Sequence, residues 1–357
     1  MKGCNYAEPA VSWLTLLRSL PLLEELELAD CIVPLGVPPS AVRRPTWKVT
    51  LPRLQHLYLK DGAVGTAYAE LLRHLIIPAV AQKSLRSHTR GSQDDHRYIF
   101  SSFANQSSDG GAIGRPAPFR SLIIDRWLSG YARHKDFAFI LSPYLNNLYA
   151  VGSVDDDGDD DETLGASSFN LIGDADCMTQ MLLDIFALSE TEDVEVNAAN
   201  LLSIASWEAI NRLPNVRIVH VGGTIDVSLT TFIQFLERKE AFLKLEYLSF
   251  NSYQWNVRHK SKRKRAAREG SLMVRLIKAL ERRKDIGMPR LRHLSLGVAH
   301  NVDLKEDGFA QDRLRLRKLV DQLEYDLDRD ATSCGTCVET DKGEDDADDT
   351  DTETDDD

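Results

Sequence analysis

The sequence predicts an α/β chain: an irregular solenoid of short parallel strands, with helices on its convex side and a disordered acidic tail at its C-terminus. Three observations predict it. One hydrophobic phrase recurs along the chain, helix-period segments lie between its copies, and charge is segregated out of the body into a few segments.

The phrase is an apolar residue, two variable ones, an apolar residue, one variable and an apolar residue. It occurs as Leu23, Leu26, Leu28, then Leu54, Leu57, Leu59, then Phe119, Leu122, Ile124. It returns as Val216, Val219, Val221, as Leu245, Leu248, Phe250 and as Leu291, Leu294, Leu296, with a weaker copy at Phe169 and Leu171. The last two apolar positions are two apart, so in a strand they point to one side. Pro21, Pro52, Pro214 and Pro289 stand two residues before their phrases. Proline stops a preceding helix and is tolerated at the first residue of a strand. Each phrase therefore marks the point where a helix ends and a short strand begins.

Between the phrases the apolar period changes to that of a helix. Trp13, Leu14, Leu16, Leu17 and Leu20 form one stripe, and Tyr68, Leu71, Leu72 and Leu75 another. Trp207, Ile210 and Leu213 precede the fourth phrase, Phe232, Phe235 and Leu236 the fifth, and Met273, Leu276, Ile277 and Leu280 the sixth. Such i, i+3, i+4 stripes alternating with strands predict a parallel sheet with helices packed against it. The first positions are 31, 65, 97, 29 and 46 residues apart. About 30 residues make one strand–helix unit, and the 65-residue gap accommodates two units with one degenerate strand. A doubly wound sheet also alternates strand and helix, but it does not require one phrase with one proline. The pattern is that of a leucine-rich-repeat-like domain over residues 1–329.

The net charge is −12 over 357 residues. Residues 339–357 contribute −11, residues 155–162 contribute −7 and residues 258–268 contribute +7, which leaves the body near neutral. A near-neutral body argues against a nucleic-acid binder. Hydrophobic residues make up 43% of the chain, enough for a sizeable core. No apolar run reaches the roughly 18 residues of a membrane span, and no secretory leader is recognisable. The expectation is a cytoplasmic or nuclear protein with reduced thiols, without membrane or nucleic-acid partners.

Three segments are expected to be flexible insertions: 84–117, rich in Ser, Gly, Asp and Gln, the acidic 152–165, and the basic 256–268. Residues 330–357, acidic and without an aromatic residue, form the predicted disordered tail. Asp155, Asp157 and Gly158 suggest a calcium loop, but Ser153 and Leu164 stand at its first and last ligand positions. Arg258, Lys260, Lys262, Arg263, Lys264 and Arg265 form a nuclear-import-like run, or else a basic loop leading into the next helix. Cys334 and Cys337 have metal spacing without a second pair. No nucleophile elbow, phosphate loop, dinucleotide fingerprint or zinc-protease motif is present. No catalytic residue, metal site or cofactor is predicted, and the chain is expected not to be an enzyme.

Leu14 to Asp30, Leu51 to Leu59, Leu201 to Val221 and Met288 to Gly297 resemble the repeat region of fungal F-box-like leucine-rich-repeat proteins. The resemblance covers residues 11–300 in patches. It implies a substrate-recognition surface of a cullin-RING ubiquitin-ligase receptor. The family's F-box, which docks on the ligase adaptor, has no room before the first strand. An adaptor partner is therefore expected only if an F-box lies upstream of Met1. The partner itself is an unidentified protein.

Alternation places the residues flanking each inward pair on the concave face. These are Glu25 and Glu27, His56 and Tyr58, Ser121 and Ile123, Ile218 and His220, Tyr247 and Ser249, and His293 and Ser295. They are the predicted protein-binding residues, tyrosine being a frequent contact at interfaces. The expected role is a protein-interaction scaffold. The alternative is a nuclear or histone-handling scaffold that works through the basic run and the acidic tail, and an enzyme on a parallel sheet is the third reading.

Overall fold

The computed structural model describes residues 8–32, 47–61, 66–90, 92–106, 112–113, 118–127, 136–142, 167–172, 174–197, 202–222, 229–250, 272–298 and 307–326. Among them are eight helices and fourteen strands. The helices are α1 (Ala10–Arg18), α2 (Thr66–Arg73), α3 (Gln93–Gln106), α4 (Ala175–Ile185), α5 (Ile204–Asn211), α6 (Thr230–Leu236), α7 (Leu272–Asp285) and α8 (Asp307–Arg317). The strands are β1 (Glu25–Ala29), β2 (Val49–Thr50), β3 (His56–Asp61), β4 (Leu75–Pro78), β5 (Gln82–Arg90), β6 (Ala112–Ile113) and β7 (Ser121–Trp127). They continue as β8 (Asp136–Ser142), β9 (Ser167–Ile172), β10 (Asp193–Val196), β11 (Ile218–Val221), β12 (Tyr247–Phe250), β13 (Leu291–Val298) and β14 (Val320–Asp326).

Eleven strands form one sheet in the order β1-β3-β5-β9-β8-β7-β10-β11-β12-β13-β14. All neighbours are parallel except β8, which runs antiparallel to β7 and β9. The six phrases thus lie in a single sheet and point the same way, as their spacing predicts. β2, β4 and β6 form a second, short sheet. Helices adjacent in sequence pack on one another from α1 to α8, so the helices follow the order of the chain.

Register explains the phrase. Leu26 lies opposite Leu57, Val194 opposite Leu122 and Val219, Val219 opposite Leu248, and Leu248 opposite Leu294. These residues and their partners two positions on are buried in one core with the helix stripes. First positions align as well: Phe119, Thr191, Val216, Leu245, Leu291 and Val320 are all buried. Thr191 fills an apolar slot in β10 and donates its hydroxyl to the carbonyl of Phe119 at 3.1 Å. In β5 the inward slot opposite Leu57 holds Lys83, the degenerate strand that the 65-residue gap allowed.

Residues 84–117 are not a structureless insertion. They hold most of β5, all of α3 and β6, and Ile99, Phe100 and Phe103 are buried. Composition misleads here because the helix is polar on its outer face, while three large side chains on its inner face supply the burial. Its start is a reciprocal cap: Ser92 Oγ accepts from the Asp95 amide at 3.2 Å, and Asp95 Oδ2 accepts from the Ser92 amide at 2.9 Å. Phe100 meets Phe139 of β8 edge-on at 6.1 Å and Phe186 at 6.2 Å. This aromatic cluster packs α3 beneath the antiparallel strand. The predicted insertions 152–165 and 256–268, the basic run, the calcium-like and cysteine motifs, and the tail 330–357 lie outside the described residues.

Candidate functional site: the outward sheet face

Because side chains alternate along a strand, the residues between the inward pairs share the opposite face and line up as rungs. One rung runs Ser121, Asp193, Ile218, Tyr247, His293, Gln322. The next runs Ile123, Glu195, His220, Ser249, Ser295, Glu324. Toward the other edge, Glu25, His56 and Gln82 form a rung, and so do Glu27, Tyr58 and Ser84.

Nearly all the predicted face residues are exposed or half-buried here. Glu25 and Tyr247 are exposed, while Glu27, His56, Tyr58, Ile218, His220, Ser249, His293 and Ser295 are partly so. Ser121 and Ile123 depart from the prediction. The pleat puts them on this face, but they are 0% and 4% exposed. Their strand has a neighbour on each side, with Ile140 of β8 and Glu195 of β10 directly across from Ile123. Neither is available for contact.

The polar groups are arranged in contact chains. His56 Nδ1 lies 3.1 Å from Gln82 Oε1. His220 Nδ1 lies 2.5 Å from Ser249 Oγ, and its Nε2 lies 3.6 Å from Asp193 Oδ1. Burial lowers the pKa of His220, which favours the neutral ring. With its proton on Nε2, toward Asp193, that ring accepts the Ser249 hydroxyl at Nδ1. The Asp193 carboxyl is pushed up to about 7 by burial and by the neighbouring Glu195. Asn197 donates to Glu195 Oε1 at 2.7 Å. The Tyr247 and His293 rings stack with centroids 5.9 Å apart and a 28° interplanar angle, and His293 Nε2 reaches Glu324 Oε2 at 3.0 Å.

Ser249, His220 and Asp193 stand in the order of a nucleophile, a base and its carboxylate. The strand amides around Ser249 lie in the plane of the sheet and are used by the ladder, so they offer no oxyanion donors. The side chains along these rungs are held by their neighbours. Among the described residues, no group of three His, Cys, Asp or Glu is placed to hold a metal ion. No described helix is long and apolar enough to cross a membrane.

Asp193, Glu195, Gln322 and Glu324 belong to this face but fall outside the sequence-based selection. Their strands, β10 and β14, lack the proline. β10 has Thr191 at the first apolar position, whereas Val320, Leu323 and Tyr325 of β14 do carry the phrase. Comparison with protein-family models, curated proteins and solved structures finds no match to this chain.

Proposed function

We propose that this chain is a protein–protein interaction scaffold, an irregular leucine-rich-repeat-like solenoid that uses the outward sheet face to select a protein partner. It resembles the substrate-recognition part of an F-box-type ubiquitin-ligase receptor. One observation carries the reading: residues at equivalent places in separate phrases fall in register as adjacent rungs, giving a continuous face of Tyr, His, Ser and carboxylate side chains. A repeated unit that presents one variable position per strand is a means of reading an extended surface.

The test uses the full chain as bait, with a partner identified by co-purification and then produced pure. Replacing His56, Tyr58, Tyr247 and His293 together with alanine is expected to abolish binding of that partner. Lys278→Ala with Arg282→Ala, on an exposed part of α7, is expected to leave it intact. Equal binding by the two variants refutes the reading. The nuclear or histone-handling alternative is favoured by the charge segregated into 258–268 and 339–357. In that case, deleting 330–357 abolishes binding and the face substitutions do not.

A further inference from the structure

We propose that one proton taken up by Asp193 and His220 reverses the hydrogen bond between His220 and Ser249. Ser249 then meets the partner as an acceptor when that proton is absent and as a donor when it is bound. What the partner makes of this rests on the receptor reading; the proton relay itself does not.

The geometry is a relay across three neighbouring strands. Asp193 on β10 is 3% exposed, and its Oδ1 lies 3.6 Å from Nε2 of His220 on β11. The other nitrogen of that ring, Nδ1, lies 2.5 Å from Oγ of Ser249 on β12. Asp193 is buried, whereas Ser249 is half-buried, so the serine is the end of the relay that a partner can touch. A neutral imidazole carries one hydrogen, so one ring nitrogen donates and the other accepts.

That rule gives two states. With Asp193 ionised, the ring keeps its hydrogen on Nε2, facing the carboxylate. Nδ1 is then a bare acceptor and takes the Ser249 hydroxyl hydrogen, which leaves only lone pairs on the serine for a partner. Now one proton is added from solvent. Placed on the carboxyl, it is donated to Nε2 and the ring carries its own hydrogen on Nδ1. Placed on the ring, it gives a hydrogen to both nitrogens. In either case Nδ1 donates to Ser249 Oγ, and the serine hydrogen is released outward. The outcome is the same whichever member of the coupled pair holds the proton.

The surroundings set the pH at which this happens. Glu195 stands directly opposite His220, Ser121 opposite Asp193, and Ser295 opposite Ser249. Tyr247, His293 and Glu324 complete the titratable groups on these rungs, which carry no lysine or arginine among the described residues. At the strand starts, Arg120 is paired with Glu192 at 2.7 Å, and Arg217 is exposed. Asp193 Oδ1 and Ser121 Oγ have no hydrogen-bond partner among the described residues, so no donor within bonding distance of Oδ1 holds the carboxyl ionised. Burial, and then Glu195, push Asp193 up to about 7. Burial lowers His220 from its ordinary 6.5, so the ring alone takes up a proton only at more acid pH.

The experiment follows the imidazole nitrogen resonances of the full chain, isotope-labelled at histidine, as pH is lowered from 8.5 to 6. His220→Gln removes one pair of resonances and assigns it; where that variant fails to fold, the shifts that move in Ser249→Ala assign the same ring. In wild type, Nδ1 is expected to be bare at the alkaline end and to gain a hydrogen with a midpoint near 7. In Asp193→Asn, first shown to unfold cooperatively, that step vanishes and the ring titrates below 6.5. With the purified partner, wild-type affinity is expected to differ about tenfold between pH 6.5 and 8, the worth of one hydrogen bond. For Ser249→Ala and Asp193→Asn the difference stays under about threefold. A ring that keeps its only hydrogen on Nε2 throughout, with the proton passing from Asp193 to Ser121 instead, overturns the inference. So does an unchanged step in Asp193→Asn. Equal pH dependence of binding in wild type and Ser249→Ala overturns Ser249 as the group the partner reads. A partner indifferent to the four alanine substitutions sinks the receptor reading alone, because the ring step is recorded on the unbound chain.

Discussion

Lys83 lies in the inward column of the sheet, 1% exposed, directly across from Leu57 of β3. Its Nζ donates to the carbonyl of Ala79 at 3.4 Å, a long bond for a group with three donors. Burial lowers its pKa from 10.5 to about 8, a displacement worth about 3 kcal/mol. The sign follows from proton binding. Between pH 8 and 10.5 the unfolded chain holds a proton here that the folded chain has released, so wild-type stability rises with pH across that window. Below pH 8 the full penalty applies, and above 10.5 none remains. Lys83→Met keeps an unbranched side chain of similar length and removes the charge. It also leaves the Ala79 carbonyl without this donor, at a cost of about 1 kcal/mol. The net expectation is a gain of about 2 kcal/mol at pH 7 that disappears, or turns into a small loss, near pH 10.5. Urea unfolding of both proteins at the two pH values measures it, and the comparison cancels other groups that titrate in the same range. An equal difference at both pH values, or a loss at pH 7, refutes the argument that desolvation of the ammonium dominates this site.

Two further outcomes are expected. The Asp193 carboxyl is raised from 3.8 to about 7, so on this account wild type loses stability as pH rises through that window. Asp193→Asn should match wild type near pH 4 and exceed it by up to about 4 kcal/mol above pH 7, and a pH-independent difference in melting temperature excludes the cause given. The buried Arg283 donates to the carbonyls of Ala241 and Phe242, and Phe242 sits at φ 47° with its amide donated to Asn211 Oδ1 at 2.6 Å. Arg283→Ala is expected to cost about 3 kcal/mol by leaving a left-handed turn unpinned. Arg283→Lys should recover only part of this in chemical unfolding, because a single ammonium cannot span both carbonyls.

The strands that could be read from the sequence are those in which local chemistry and tertiary place agree. β1, β3, β11, β12 and β13 have apolar residues at the inward slots, and all of them but β12 have a proline just ahead. Elsewhere a single polar residue hides the element. Lys83 breaks the phrase in β5 and Thr191 breaks it in β10, each tolerated because a backbone carbonyl accepts its donor. α3 is masked by its own solvent-facing residues, although Ser92 and Asp95 spell a helix start three residues apart and Ile99, Phe100 and Phe103 follow at helical spacing. The placement of β8 between β7 and β9 is a matter of long-range pairing, to which a short window of sequence is blind.

The candidate face was hidden for a related reason. Alternation within a strand assigns a side chain to a face, and it did so correctly for the rungs of β11, β12 and β13. Which rungs become neighbours depends on strands far apart in sequence. All three carboxylates that make the face from β10 to β14 acidic come from β10 and β14, two strands outside the six phrases read from the sequence. Read from the recognisable strands alone, that part of the face is a neutral row of Ile, Tyr, Ser and His. With its flanking strands in place, that row stands between carboxylates on β10 and β14.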